Sequence, residues 1–154
     1  MSGLVPFLPP PLLDAGAICV GATCGAITRY KIGQKASAYI ASSPSTRNGL
    51  TGWHTAGINV LGSFALGAVT ATPVKAATTP APSFGMTPRT KLLLGIGFCG
   101  AFTTFSTYAV DIVSMVERGE VAKAVCYGVG TSVGSIGAAT VGMMAVRRFF
   151  GVGK

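Results

Sequence analysis

The chain has 154 residues, 49% of them hydrophobic, and twelve Lys and Arg against four Asp and Glu give it a formal charge of +8. Only 10% of the residues are charged and the mean hydropathy is +0.58, whereas a soluble domain carries roughly 25% charged residues. That excludes an ordinary water-exposed surface and leaves a single membrane-embedded domain, with the basic residues set singly at the ends of apolar runs rather than in a nucleic-acid-binding stripe.

Residues 1–13 contain Pro6, Pro9, Pro10 and Pro11 and no early cation, so an irregular lead-in is expected rather than a signal peptide. A first span is predicted over 12–30, with Gly16, Gly21, Ala22, Gly25 and Ala26 at intervals that let helix backbones approach closely. Arg29, Tyr30 and Lys31 end it as an interfacial anchor. Residues 32–53 read as a polar loop, and Trp53 and His54 mark the next interface. The second span, 55–72, holds Gly62 and Gly67 and one intruding amide, Asn59. Residues 73–90, rich in Pro, Thr and Ala, read as a flexible connection.

The third span, 91–115, contains the most unusual stretch of the chain, Gly95 to Asp111. Three glycines are followed by Thr103, Thr104, Ser106 and Thr107 among the aromatics Phe98, Phe102, Phe105 and Tyr108. Lipid offers these hydroxyls no partner, so they must face protein or a polar path. Gly100 beside Thr103 and Thr104 predicts a broken helix, whose freed backbone groups need a neighbour, a water or an ion. After a short turn at 117–120, a fourth glycine-rich span covers 121–146, with Tyr127, Thr131, Ser132, Ser135 and Thr140 as its polar members and Arg147 and Arg148 at its end. Four spans divide the cations into Lys75, Arg89, Lys91, Arg147, Arg148 and Lys154 on one side and Arg29, Lys31, Lys35, Arg47, Arg118 and Lys123 on the other. Six against six gives no orientation bias, which points either to a weakly determined topology or to insertion both ways and pairing with an inverted copy.

Catalytic arrangements are missing from the pattern: there is no carboxylate pair within a span, no Ser/His/Asp set and no phosphate-binding loop. Cys19, Cys24, Cys99 and Cys126 have no metal-ligand spacing and read as small packing residues. Two membrane acids, Asp14 and Asp111, are either helix-end carboxylates or titrating groups of a proton-coupled exporter. Asn59 suits an interhelical hydrogen bond or a polar pathway. Arg29 is a headgroup anchor or a cation at a pore mouth. Phe105 and Tyr108, three apart, share a helix face and either pack in the core or turn ring edges toward an anion. The hydroxyls either bond back to their own helix or line a path.

At the residue level the chain resembles the Fluc, or CrcB, family of dual-topology fluoride channels. Residues 97–108, GFCGAFTTFSTY, are similar to that family's G-x-x-G-G-x-T-T-F-S-T-F signature. Residues 21–30, GATCGAITRY, resemble its first-helix pattern G-G-x-x-G-A-x-x-R-Y, and residues 55–63, TAGINVLGS, its T-x-x-V-N-x-x-G-S. The resemblance implies an all-α, four-helix membrane protein forming an antiparallel homodimer in the cell membrane, with two pores that passively export fluoride. It assigns Asn59, Thr104, Phe105, Ser106, Thr107, Tyr108, Tyr127, Thr131 and Ser135 to the fluoride pathway and Arg29 to the vestibule. It gives the backbone carbonyls of Gly100 and Thr103 to a sodium ion at the dimer interface. Two departures stand out: Tyr108 replaces the usual Phe, adding a hydroxyl, and Ala101 replaces the second Gly of the signature. The alternatives are a small proton-coupled exporter using Asp14 and a non-conducting membrane scaffold.

Overall fold

The computed structural model describes residues 10–42, 52–75 and 85–151. Among them the chain is helical, with one isolated bridge between Val74 and Met86 and no strand. The proline-rich lead-in before residue 10 and the middle of the 73–90 connection lie outside the described residues. Helix α1 is Pro10–Ala41 and α2 is Trp53–Ala71. The third apolar run is composite: a short turn α3, Pro88–Lys91; a π-helix, Leu92–Cys99; one turn α4, Gly100–Phe102; and, after a break, α5, Phe105–Glu117. Helix α6, Val121–Phe150, follows a turn in which Gly119 takes the left-handed conformation at φ 76°.

Among the described residues, three stretches are long and apolar enough to cross a membrane, namely Pro11–Ala41, Pro88–Glu117 and Val121–Phe150. Helix α2 is shorter, at 19 residues, and carries His54 and Asn59. The expected end of the first span at residue 30 needs correction: α1 continues to Ala41, well into the segment read as loop. At 32 residues it is about 48 Å long, more than the ~30 Å hydrocarbon layer. Its last turns, carrying Lys31 and Lys35, therefore extend past the apolar region. Residues 32–41 lack the apolar content of a span, but Gln, Lys, Ala and Ser tolerate helix in water.

Packing explains the glycines. Helix α1 lies along the π-helix and α2 along α6. A Cβ on Gly21 would overlap the Leu93 carbonyl and one on Gly25 the Phe98 carbonyl, while one on Gly97 would sit 2.7 Å from the Ile18 oxygen. Gly67 and Gly142 make the equivalent close approaches across the α2–α6 pair, to Ala139 and Phe64. Backbone contact of this kind holds membrane helices together where hydrophobicity cannot. A small core of Ala56, Met115, Ala124 and Tyr127 closes one end, backed by Tyr108 and Ile112. At the other end Arg89 pairs with Asp14 at 3.1 Å, and the Lys91 ammonium donates to the Thr70 carbonyl at 3.1 Å.

The candidate pathway at the helix break

The break falls where the hydroxyls begin, but glycine does not make it. Gly100 is helical at φ −62°, ψ −37°, whereas Thr103 and Thr104 are extended, at ψ 159° and 117°. β-Branched residues accept extended backbone readily, and each threonine also compensates for the helix it interrupts. The Thr103 hydroxyl donates back to the Cys99 carbonyl at 2.9 Å. The Thr104 oxygen caps α5, accepting from the Thr107 amide at 3.2 Å, and its hydroxyl donates to the Thr107 oxygen at 3.0 Å. Ser106 lies 3.3 Å from the same Thr104 oxygen.

Asn59 spans the gap. Its amide nitrogen donates to the Thr104 carbonyl at 3.0 Å and its oxygen accepts from the Thr104 amide at 2.8 Å. One side chain thus satisfies both backbone groups of a residue that has left the helix. Of the two expectations for Asn59, the interhelical bond is the one present, and Asn59 also lines a cavity at the break. The Thr103 carbonyl accepts from the Arg29 guanidinium at 3.4 Å, so the cation of α1 reaches the break itself.

Two cavities with hydroxyl and amide side chains in their lining meet here. One, of about 270 Å³, is lined by Asn59, Ser63, Thr103, Thr104, Phe105, Tyr108, Thr131, Ser132 and Ser135, with Leu66 at its side. Its described lining contains no ionised side chain. The other, of about 670 Å³, opens among Arg29, Tyr30, Gln34, Ser37, His54, Thr55, Thr104 and Thr107. Thr104 belongs to both, so the break is the wall they share.

Beside the Thr104–Ser106–Thr107 cluster, two groups of hydroxyls contrast. Those of Thr23, Thr28, Thr70, Thr103, Ser132 and Thr140 donate to a carbonyl one helical turn back. Thr131, only 4% exposed, and Ser135 have buried hydroxyl oxygens without a hydrogen-bond partner, and both line the smaller cavity. An orphaned buried hydroxyl is a donor held ready. The rings of Phe105 and Tyr108 lie 5.6 Å apart at 44°. Phe105 is 79% exposed, in keeping with a ring on the cavity rim rather than in the core.

The remaining expected residues are placed as follows. Tyr127 is wholly buried behind Tyr108, with ring centres 5.6 Å apart, and its hydroxyl donates to Asp111 at 3.0 Å; it does not line the smaller cavity. Asp14 is bonded to Arg89 on a half-exposed surface, away from both cavities. Gly100 is exposed, and the amide of Thr104, which would ordinarily close on its carbonyl, goes to Asn59 instead, while the Thr103 amide keeps its helical bond to Cys99. A hard cation suits carbonyl oxygens, and the Gly100 oxygen has the chemistry for one, whereas the Thr103 oxygen is taken by the Arg29 guanidinium, itself a cation. Ser63 and Ser132, absent from the sequence-based set, also line the smaller cavity. Ser63 could have been found four residues after Asn59, on the same helix face.

Residues 16–143 match the family described as CrcB-like protein, Camphor Resistance (CrcB). The chain is 32% identical over 140 residues to the fluoride-specific ion channel FluC of Erythrobacter litoralis, covering 91% of this chain and 96% of that one. It is 36% identical over 141 residues to the protein of the same name from Synechocystis, covering 89% and 92%. It is 31% identical over 131 residues to that of Nitrobacter winogradskyi, covering 85% and 93%.

Proposed function

The chain belongs to the CrcB-like family, and on that premise we infer that it is a membrane channel through which fluoride leaves the cell passively. The observation that carries the reading at residue level is the uncharged cavity at the break. There the Asn59 amide, the unpartnered Thr131 and Ser135 hydroxyls and the Phe105 and Tyr108 rings converge. Fluoride is small and strongly hydrated, so a pore must replace its water with directed donors, and a narrow ring of hydroxyls and ring edges does so better for fluoride than for chloride. A fixed charge in the cavity would hold the ion. Arg29 lines the wider cavity and reaches its inner wall at Thr103, where it raises the local anion concentration, and the Thr104 and Thr107 hydroxyls lead inward from it.

The working unit in this reading is an antiparallel homodimer in the cell membrane, with four spans per copy, α2 being the fourth, and two pores. Support comes from the break: non-helical backbone within a bilayer must be covered by protein or line a water-filled path. In a single copy Gly100 and the Phe105 ring are exposed, beside Ile96 at 61% exposure. An apolar groove of about 650 Å³ runs along α2 past Gly57, Leu61 and Phe64. A second, inverted copy would cover both, and the balanced cations permit either orientation. The Gly100 and Thr103 carbonyls of the two copies would together hold a sodium ion, which would supply a fixed positive charge and tie the breaks together.

The test is fluoride efflux from liposomes carrying the purified protein. Rapid electrogenic loss of fluoride with chloride retained is expected. Retention of fluoride, together with drug–proton exchange abolished by Asp14→Asn, would replace the channel with an exporter. Cysteine cross-linking that traps only parallel dimers would remove the inverted arrangement.

A further inference from the structure

We propose that the hydroxyls of Tyr108 and Ser132 form a switchable donor pair that turns one O–H toward a small anion in the cavity and thereby sets anion preference in this chain. The proposal rests on the channel reading above and concerns a hydroxyl that the family's usual phenylalanine does not supply. The Tyr108 oxygen lies 3.0 Å from the Gly128 carbonyl and 3.1 Å from the Ser132 oxygen. Ser132 in turn lies 2.9 Å from the same Gly128 carbonyl. Two O–H groups therefore converge on one carbonyl, and each hydroxyl is also within reach of the other.

The donor count makes this pair different from its neighbours. The Gly128 carbonyl already takes the Ser132 amide within α6, and its second lone pair has room for only one of the two hydroxyl protons. If Ser132 donates to it, the Tyr108 O–H is free to turn; if Tyr108 donates, the Ser132 O–H is free. In either case no buried acceptor is left unpaired, so presenting the spare O–H to an ion does not carry the cost of breaking a buried bond. Both residues line the cavity that holds Asn59, Thr131 and Ser135, and both also line an apolar groove between α5 and α6, next to Ile112, Val125 and Val129. They form the wall between the two. An anion arriving on the polar side meets the spare donor, whereas nothing on the apolar side competes for it. Hydrogen bonds to an anion are roughly twice as strong as neutral ones and are shorter to a smaller ion, so the gain is larger for fluoride than for chloride.

The experiment measures fluoride and chloride currents through the full-length protein in planar bilayers, for wild type, Tyr108→Phe, Ser132→Ala and the double variant. Tyr108→Phe keeps the ring and removes one hydroxyl. One hydrogen bond's worth of discrimination predicts about a fivefold fall in the fluoride-to-chloride permeability ratio. Because the two hydroxyls act as one unit, the double variant should lose little more than either single one. A fluoride-to-chloride ratio unchanged in Tyr108→Phe, whether or not thermal stability drops, overturns the proposal and makes the hydroxyl a tether for the ring. So do additive losses in the double variant. A wild-type protein that passes no fluoride would instead remove the channel reading itself, so the two failures are distinct.

Discussion

Asn59 offers the sharpest test of how the break is held. Its amide satisfies both the N–H and the C=O of Thr104, at 2.8 and 3.0 Å. Asn59→Ala orphans both, on a residue only 8% exposed. At about 1–3 kcal/mol for each buried group left without a partner, the loss is about 2–6 kcal/mol, a large part of a protein's usual stability. Asn59→Asp is the more telling variant. Ionised, it still accepts from the Thr104 amide but sets a carboxylate oxygen against the Thr104 carbonyl. Protonated, its O–H donates to that carbonyl and the asparagine pattern is restored. The folded state therefore prefers the protonated acid. The variant is expected to lose stability relative to wild type as pH rises and the acid ionises. Thermal unfolding in detergent between pH 4 and pH 8, run beside wild type, reads this directly. If Asn59→Asp and wild type show the same stability and the same pH dependence, Asn59 does not hold the break.

Three further outcomes are expected. Gly25→Ala places a methyl on the Phe98 carbonyl; because neither backbone can move aside, it should unseat α1 from the π-helix, seen as a large drop in folded, monodisperse protein on size-exclusion chromatography. Arg29→Gln should lower fluoride current several-fold at low ionic strength and approach wild type near 1 M salt, where the Debye length is ~3 Å; a salt-independent deficit would mean that Arg29 acts through its Thr103 contact alone. Phe105→Ile should reduce fluoride efflux strongly, since the ring lines the smaller cavity; equal efflux would remove it from the path.

Much of this arrangement was legible because membrane packing writes itself in small residues and stray polar ones. The glycine intervals of the first and second spans correspond to real backbone approaches at Gly21, Gly25 and Gly67, whereas Gly62 makes room for the Thr103 and Phe102 side chains and Gly16 faces no neighbour. The hydroxyl run in the third span marked the break. What was not legible was its mechanism. Glycine at 100 suggested the weak point, yet helical backbone persists through it, because what ends the helix is the outside partner that Asn59 offers to Thr104. A partner forty-five residues away leaves no local signal. The length of α1 was missed for a related reason. Hydropathy reports where lipid ends, not where helix ends, and residues 32–41 continue the helix without continuing the apolar run. Tyr127 shows the same limit: its type and position suit either a pathway or a core, and only its bond to Asp111 and its zero exposure decide where this copy keeps it.

The two readings of Asn59, interhelical clamp and pathway amide, also cease to compete once its groups are counted. A carboxamide has two N–H donors and a carbonyl oxygen. One N–H and the oxygen are committed to Thr104, which fixes the plane of the amide. The second N–H remains on a side chain that lines the cavity with Thr131 and Ser135. Clamping the break is therefore what orients the remaining donor, and a substitution that frees the amide from Thr104 would blur its direction as well. This makes fold and pathway inseparable at this residue, and it predicts that Asn59→Gln, which keeps the chemistry but lengthens the arm by one methylene, loses fluoride flux even where stability is partly retained. Efflux and thermal unfolding measured on the same preparation decide it: full flux from a partly destabilised Asn59→Gln would show that the amide serves the fold alone.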